Sequence, residues 1–545
     1  MADINPTLAL TSAVLAVVVL LRAYIRSKQY PRCLPLPPGP KRLPILGNAL
    51  NIPMSKQWLT FQRWAEEYGD IFSISLLGQP VIVLNSVKAA SDLLDKRSSK
   101  YSDRFKSTVV PLIGWDWNVA LMGYGPRWRQ TRRAFHEHFH QGAVQQYQPT
   151  QLSGARKFLT RLLASPGNFV HDLRYDLGAT ILEVSYGIKA KDADDEYIAI
   201  GERAVEGPTE ALVLGALWVE FLPVLRYLPP WFPGASYQRK AAQWRQEAMA
   251  LKHEPFKKAI ADFRDGEGTW SLASEIVHRD YQVGGGSSAG TEELAKNVAA
   301  VTYGAGADTV SFTGFAAVFY GTFADEAQSF STLQTFFLAM TLYPDVQRKA
   351  QAELDAVVGL FRLPEYEDQK ALPYVHAIVK ECLRWQNVFT LGLPHRLMED
   401  DQYNGYSIPK GSIVLSNIWA ISHNPQTYQE PDVFNPDRYF KDGTWDLNVL
   451  DPIDYAFGFG RRACPGRHFA VASIYIYVAS VLHVFDIASV LHVFDIAPKR
   501  DVSGNPVQVK PDMISGVVTY PVKFECDISP RSPEAEALIQ LCKSD

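Results

Sequence analysis

The sequence predicts one large, mainly α-helical body with a smaller β part, preceded by a single N-terminal transmembrane helix. Three features lead there. Residues 4–21 carry no charge, and Arg22, Arg26, Lys28 and Arg32 follow them closely. Helix-period apolar patterning runs through the middle, whereas strand-like runs are confined to residues 70–76 and 80–84 near the start and 516–526 near the end. No Pro/Ser-rich linker divides the 545 residues, so the body reads as one domain although length alone would favour two or three.

The N-terminal run spans roughly 27 Å at the helical rise, enough to cross a hydrocarbon core. Its basic flank lies on the C-terminal side and should stay cytosolic. A cleaved signal peptide is the rival reading, but it would place basic residues before the run. Residues 1–30 are therefore expected to anchor the chain. The Pro-rich stretch 31–40 (PRCLPLPPGP) is expected to act as a stiff hinge before a body of residues 41–545. Net charge is −4, with 21 % charged and 47 % hydrophobic residues. With no basic block or stripe, nucleic acid is excluded as a partner.

Within the body, residues 58–68 read as a helix. The two strand-like runs follow, with apolar/polar alternation only in the first, and then a long helical stretch. That stretch is broken at 222–234 (LPVLRYLPPWFPG) and at 284–290 (GGGSSAG). No Gly-Lys-Ser/Thr follows the glycine run, so it reads as a solvated connection rather than a phosphate loop. Cys33, Cys382, Cys464, Cys526 and Cys542 form no CxxC pair. Such a scatter fits a reducing compartment and leaves cysteine chemistry to one residue acting alone.

That residue is Cys464. Residues 457–467 read FGFGRRACPGR, which places Phe457, Gly460, Arg462, Cys464 and Gly466 at the spacing FxxGxRxCxG. Glycines on both sides let the backbone wrap closely around the cysteine, with N–H groups free to point at sulfur. Arg462 adds positive charge, and a helix expected over 468–480 puts the cysteine near a helix N-terminus; both favour thiolate. An isolated, backbone-solvated thiolate suits one axial bond to haem iron. A structural cysteine in a Gly-rich turn is the bland alternative. Gly458, Gly460 and Ala463 also match a dinucleotide GxGxxA, but no βαβ unit surrounds them. The stretch resembles the haem-binding loop of the cytochrome P-450 family. The resemblance implies the P-450 fold, haem b as cofactor, and Cys464 as its metal ligand.

Four further motifs resemble the family in its own order. Trp128 and Arg132 (RWRQTRR) lie one helical turn apart and share a face. The resemblance implies that indole N–H and guanidinium both donate to a haem propionate; alone, the motif would read as a basic amphipathic helix. Glu381 and Arg384 (KECLRW) resemble the family's ExxR pair, and Arg438 in FNPDR would complete a buried triad with a structural role. An i,i+3 pair by itself is usually a surface salt bridge contributing about 0–1 kcal/mol. Pro394-His395-Arg396 resembles a strand that places a propionate donor, with His395 in that role, Arg396 as the alternative, and Arg462 as a further donor. Ala305-Gly306-Ala307-Asp308-Thr309, in a helix expected from about residue 292, resembles the oxygen-side signature. Small residues leave room there, and threonine can bond a backbone carbonyl and open the helix locally. The implied catalytic pair is Asp308 and Thr309, relaying protons; two ordinary polar surface residues are the bland alternative.

The resemblance implies a monooxygenase that inserts one oxygen atom of O2 into an apolar small molecule. The body would face the cytosol from a single-pass anchor in the endoplasmic reticulum membrane. NADPH and flavins would act only through a separate NADPH–cytochrome P-450 reductase, with a b-type cytochrome as an optional second donor. The pattern is similar to fungal microsomal members of secondary metabolism or aromatic xenobiotic oxidation, including the O-methylsterigmatocystin oxidoreductase-like group. Residues 106–121 and 212–233, with Trp115, Trp117, Trp231 and Phe232, are expected to line or cover the pocket, although plain core or bilayer contacts would use the same residues.

Two features depart from the family. Residues 310–330 (VSFTGFAAVFYGTFADEAQSF) intervene after Thr309. One helix from 292 to 339 would need roughly 72 Å, so an interruption is expected, from an unspliced intron or a lineage-specific loop. Residues 480–488 and 489–497 both read SVLHVFDIA, a repeat too short for a solenoid and so a local duplication. The insertion leaves open a haem-binding but catalytically impaired relative. A reductase-independent isomerase of the same fold is a further alternative, against which Asp308 and Thr309 count.

Overall fold

Helix α1 (Gln57–Tyr68) stops at Gly69, whose φ of +90° reverses the chain into a hairpin of β1 (Ile71–Leu76) and β2 (Gln79–Leu84). The pairing is antiparallel, from Ile71↔Leu84 to Leu76↔Gln79. The alternation expected of β1 does not make a half-solvated strand, because even Ser73 is buried. The Pro-rich stretch covers it: Ser73 N donates to Pro38 O at 2.7 Å, Ser73 Oγ donates to Pro37 O, and Ser407 N donates to Pro35 O at 2.8 Å. Proline carbonyls can accept although proline cannot donate, so from Pro35 onward the expected hinge is stitched to the body.

The structure, a computed structural model, describes residues 34–44, 46–53, 55–213, 219, 226–229, 231, 236–284, 289–307, 328–488, 511–514 and 519–542. The expected anchor therefore lies outside the described residues.

The helical part comprises α2 (Pro126–Phe139), α3 (Gln148–Ala164), α4 (Phe169–Tyr186), α5 (Glu196–Val213), α6 (Ser236–Asp265), α7 (Leu272–Gly284), α8 (Ala289–Ala307), α9 (Gln328–Leu342), α10 (Pro344–Val357) and α11 (Pro373–Trp385). Proline opens α2, α10 and α11 at the first turn, where a missing N–H costs nothing. Helix α4 packs on α3 and α8, α6 packs on α5 and α8, and α9 packs on α11. Residues 285–288 of the glycine run and residues 308–327, where the interruption beyond Thr309 is expected, lie outside the described residues. The last residues of the 310–330 segment already belong to α9, where Phe330 is fully buried.

Strands β3 (His395–Arg396) and β4 (Ile413–Ser416) complete a four-stranded sheet in the order β1–β2–β4–β3, with β2 and β4 parallel. Helix α12 (Arg467–Val484) follows the cysteine loop and packs on α3, α9, α10 and α11. Among the described residues it alone is long and apolar enough to cross a membrane, but 67 % of it is buried inside the body, so it is a core helix. Short strands are expected near 516–526, and short pairs are found around that stretch. Met513–Ile514 pairs with Tyr520–Pro521, and β5 (Phe485–Ala488) pairs with β6 (Asp527–Pro530). Pro521 has no N–H to extend the first ladder. The first nonapeptide copy supplies the end of α12 and all of β5; the second copy lies outside the described residues.

Candidate active site

The cysteine loop is built by backbone reversals. Gly458 and Gly460 have φ of +78° and +56°, and the turn is closed by Cys464 N donating to Phe457 O at 2.8 Å. Gly466 caps α12, and its N–H is directed at Cys464 Sγ, which faces a cavity of about 210 Å³. Phe457, Gly458, Arg462, Cys464 and Gly466 all line that cavity.

Two expectations about the loop need correction. Gly460 does not line the cavity: a Cβ there would sit 2.2 Å from Leu94 O, so this glycine admits a neighbouring backbone rather than a ligand. Arg462 does not serve the sulfur either. Its guanidinium donates to Ser102 O, Val119 O and Met122 O at 2.7, 3.0 and 2.8 Å and lies 4.5 Å from the Trp128 ring centre. Burial pushes the Cys464 thiol up, and the Gly466 N–H, Arg132 and Arg467 oppose it without prevailing. In the protein alone, burial therefore outweighs the effects expected to favour thiolate; a coordinated metal ion removes the proton outright.

The next wall is cationic. Trp128 and Arg132 reach the cavity from α2, Arg462 from the loop, His395 from β3, and Arg104 from the segment after the first sheet strands. Burial lowers the pKa of Arg132, and it pushes Arg462 down to about 8 with help from Arg104. Among the described residues no carboxylate pairs with Arg132. His395 Nδ1 lies 2.8 Å from Tyr101 O, and burial beside Arg104 and Arg462 keeps the ring neutral. The alternative donor, Arg396, does not line the cavity and instead bonds Asp103 at 3.3 Å. Arg104 was not foreseen; it donates to Ala120 O, Leu393 O and Pro394 O and so ties both walls together. Only its tertiary neighbours distinguish it from any other arginine of the sequence.

The remaining lining is largely apolar, including Val301, Ala305, Phe389, Leu393, Ile418 and Phe469, with Asn118, Thr180, Ser416 and Ser473 as polar members. Thr302 also lines it, with its hydroxyl occupied by Val298 O at 2.9 Å. A flat apolar body with two carboxylates and a metal that takes thiolate matches this donor set. The residues fit haem b.

Asp308 and Thr309 lie outside the described residues. Of the aromatic residues expected at the pocket, Trp115 and Trp117 are each 2 % exposed and stack at 5.2 Å within the core instead. Trp231 is 76 % exposed, and Phe232 lies outside the described residues. From residues 106–121 only Asn118, Val119 and Ala120 line the cavity.

Glu381 and Arg384 are wholly buried, away from the cavity. Arg384 binds both Glu381 oxygens at 2.9 and 2.8 Å, and Arg438 Nε adds a bond at 3.0 Å. Asn435 N and Tyr439 Oη complete the shell at 2.9 and 3.1 Å. A buried carboxylate with five donors is a structural lock rather than a reactive group.

The cytochrome P450 family profile matches residues 37–320 and 323–501, breaking inside the segment that follows Thr309. The chain is 39 % identical to cytochrome P450 monooxygenase COX2 of Coprinopsis cinerea over 536 residues, covering 98 % of this chain and 95 % of that protein. It is 41 % identical to a cytochrome P450 monooxygenase of Armillaria gallica, covering 97 % of this chain and 99 % of that protein. It is 36 % identical to tryptamine 4-monooxygenase of Psilocybe cyanescens, covering 92 % and 94 % respectively. With one cysteine facing an arginine-rimmed, largely apolar cavity, the chain belongs to the cytochrome P450 family and is a monooxygenase.

Proposed function

We propose that the protein inserts one oxygen atom of O2 into an apolar organic molecule, with NADPH electrons arriving through a separate membrane-bound reductase. Cys464, presented between Phe457 and Gly466 to the cavity, is the observation that carries the reading. Haem would supply the oxidising chemistry when bound, with the Cys464 sulfur as its protein ligand. Trp128, Arg132, His395 and Arg462 would hold its carboxylates and fix its orientation. Glu381, Arg384 and Arg438 brace the fold behind the loop. Asp308 and Thr309, which follow α8 in the sequence, would deliver protons.

Residues 1–30 would anchor the chain in the endoplasmic reticulum membrane with the body in the cytosol. The spectrum of the reduced protein with carbon monoxide is the test. The purified chain should show the absorption band of a haem-thiolate complex, and Cys464→Ala should lose it. A variant that keeps that band, or a native chain that takes up no haem, ends the reading. The extra residues after Thr309 favour one second reading, a haem-binding protein of low turnover. NADPH- and reductase-dependent oxidation of an apolar substrate separates the two.

A further inference from the structure

We propose that Asp176, one helical turn from the lining of the haem cavity, is a proton-uptake site coupled to the haem: its carboxylate binds a proton from solvent when an electron is added to the iron. The proposal rests on haem occupying the cavity.

Helix α4 brings the carboxylate there. Leu177, Thr180 and Ile181 line the cavity, and Asp176 lies one turn before Thr180, whose hydroxyl donates to Asp176 O at 2.7 Å. Asp176 is 2 % exposed. One oxygen, Oδ1, accepts from Arg161 Nε at 3.1 Å, while Oδ2 is buried with no hydrogen-bond partner.

The same molecule shows what a purely structural pair looks like. At Glu381 both carboxylate oxygens are bonded, by a two-pronged arginine and three further donors. At Asp176 the arginine is single-pronged, and its guanidinium also sits 4.9 Å from the Tyr175 ring centre. A charged carboxylate with one oxygen desolvated and unpaired is costly, and protonation relieves that cost. Burial accordingly raises the Asp176 pKa to about 7 despite Arg161.

A second buried group points to the same place. Tyr477 Oη of α12 has no hydrogen-bond partner, and the residue is 1 % exposed. Gly154 of α3 packs against this cluster, where a Cβ would lie 2.2 Å from Thr180 Oγ1 and 3.1 Å from Tyr477 Oη, so glycine permits the close approach of the three helices. The charged and titratable groups facing Asp176 and Tyr477 are Arg161 and Lys157 from α3, Asp172 and Tyr175 from α4, and Tyr366 beyond Tyr477. Lys157 and Arg161 favour the carboxylate, whereas Asp172 favours the acid. Arg161, with 26 % of its side chain exposed, leads from Asp176 to solvent. The step balances: one electron from a reductant enters the iron, one proton from solvent enters Asp176, and the net charge of the interior is unchanged.

The experiment measures the one-electron reduction potential of the full-length, haem-loaded protein across neutral pH. The native potential should fall as pH rises, Asp176→Glu should keep most of that slope, and Asp176→Asn should lose most of it. The carbon monoxide spectrum checks that each variant retains haem-thiolate. A native potential flat with pH, or an Asn variant with the native slope, overturns the proposal while leaving the haem reading intact. If the Asn variant does not fold, infrared difference spectra of the native protein decide. Reduction should add a protonated-carboxyl band that Tyr477→Phe shifts; a missing band, or one that Tyr477→Phe leaves in place, overturns it.

Discussion

Gly460 and Arg462 show how much of the cysteine loop depends on side-chain space rather than on sulfur chemistry. Gly460 combines a φ of +56° with a backbone carbonyl 2.2 Å from the position a Cβ would take. Gly405 has a φ of +80° but nothing within 4 Å of that position. Both lose left-handed freedom when substituted, at about 1–2 kcal/mol; only Gly460 must also push a neighbour away. Gly460→Ala should therefore lower stability by on the order of 3 kcal/mol, while Gly405→Ala should show the conformational cost alone. Equilibrium denaturation of the two variants side by side checks this, and equal losses would show that the Leu94 contact yields freely. The loop's spacing is legible as a string because its reversals are local. That Arg462 turns toward three carbonyls of residues 102–122 is not legible, since those acceptors are some 340 to 360 positions away.

Helix α11 and the segment carrying Arg438 act as one unit through Glu381. Removing a charge from a fully buried ionic cluster leaves the partners uncompensated, at roughly 3–5 kcal/mol. Glu381→Gln should cost about that much, with haem content falling along with stability because α11 lies behind the cysteine loop. Arg438→Lys should be milder, since Arg384 keeps its two bonds to the carboxylate. Thermal unfolding with haem absorbance followed in parallel measures both; stability unchanged in the Gln variant would reduce the cluster to decoration. Here the i,i+3 spacing was readable, but burial was not, and burial is what separates this pair from a surface salt bridge.

Acid sensitivity belongs to the assembled body. Burial pushes His423 down to about 3 and His376 down to about 4. Both folded values lie below the ordinary value, so the stabilisation is complete above about pH 6.5 and is lost as pH falls through the window toward 4. For His423 this amounts to roughly 3 kcal/mol by pH 4. Asp176 has the opposite sign: its folded value of about 7 lies above its ordinary one, so its contribution is present at low pH and declines as pH rises through neutrality. Denaturation curves between pH 7.5 and 4.5 should steepen in acid, and His423→Gln should flatten part of that slope. An unaltered slope would remove His423 as a cause.

The tandem nonapeptide allows a second test on the full chain. Deleting residues 480–488 or 489–497 produces the same polypeptide, and one copy already fills the core slot, where Gln347 and Gln351 bond Ile487 and Phe485. The shortened chain should fold, bind haem and melt no lower than its parent. A loss of haem would show that the second copy contributes to the fold.

Short-range spacing was enough to make the cysteine loop legible, because its glycine reversals act between near neighbours. The same holds for the proline-started helices. The destination of long side chains was decided only by tertiary packing: Arg462 to carbonyls, Trp115 and Trp117 to the core, Arg396 to Asp103, and Arg104 to the cavity. The arginines trade desolvation against acceptors that in each case include one nearly three hundred or more residues away, and no local pattern encodes where such a partner will lie.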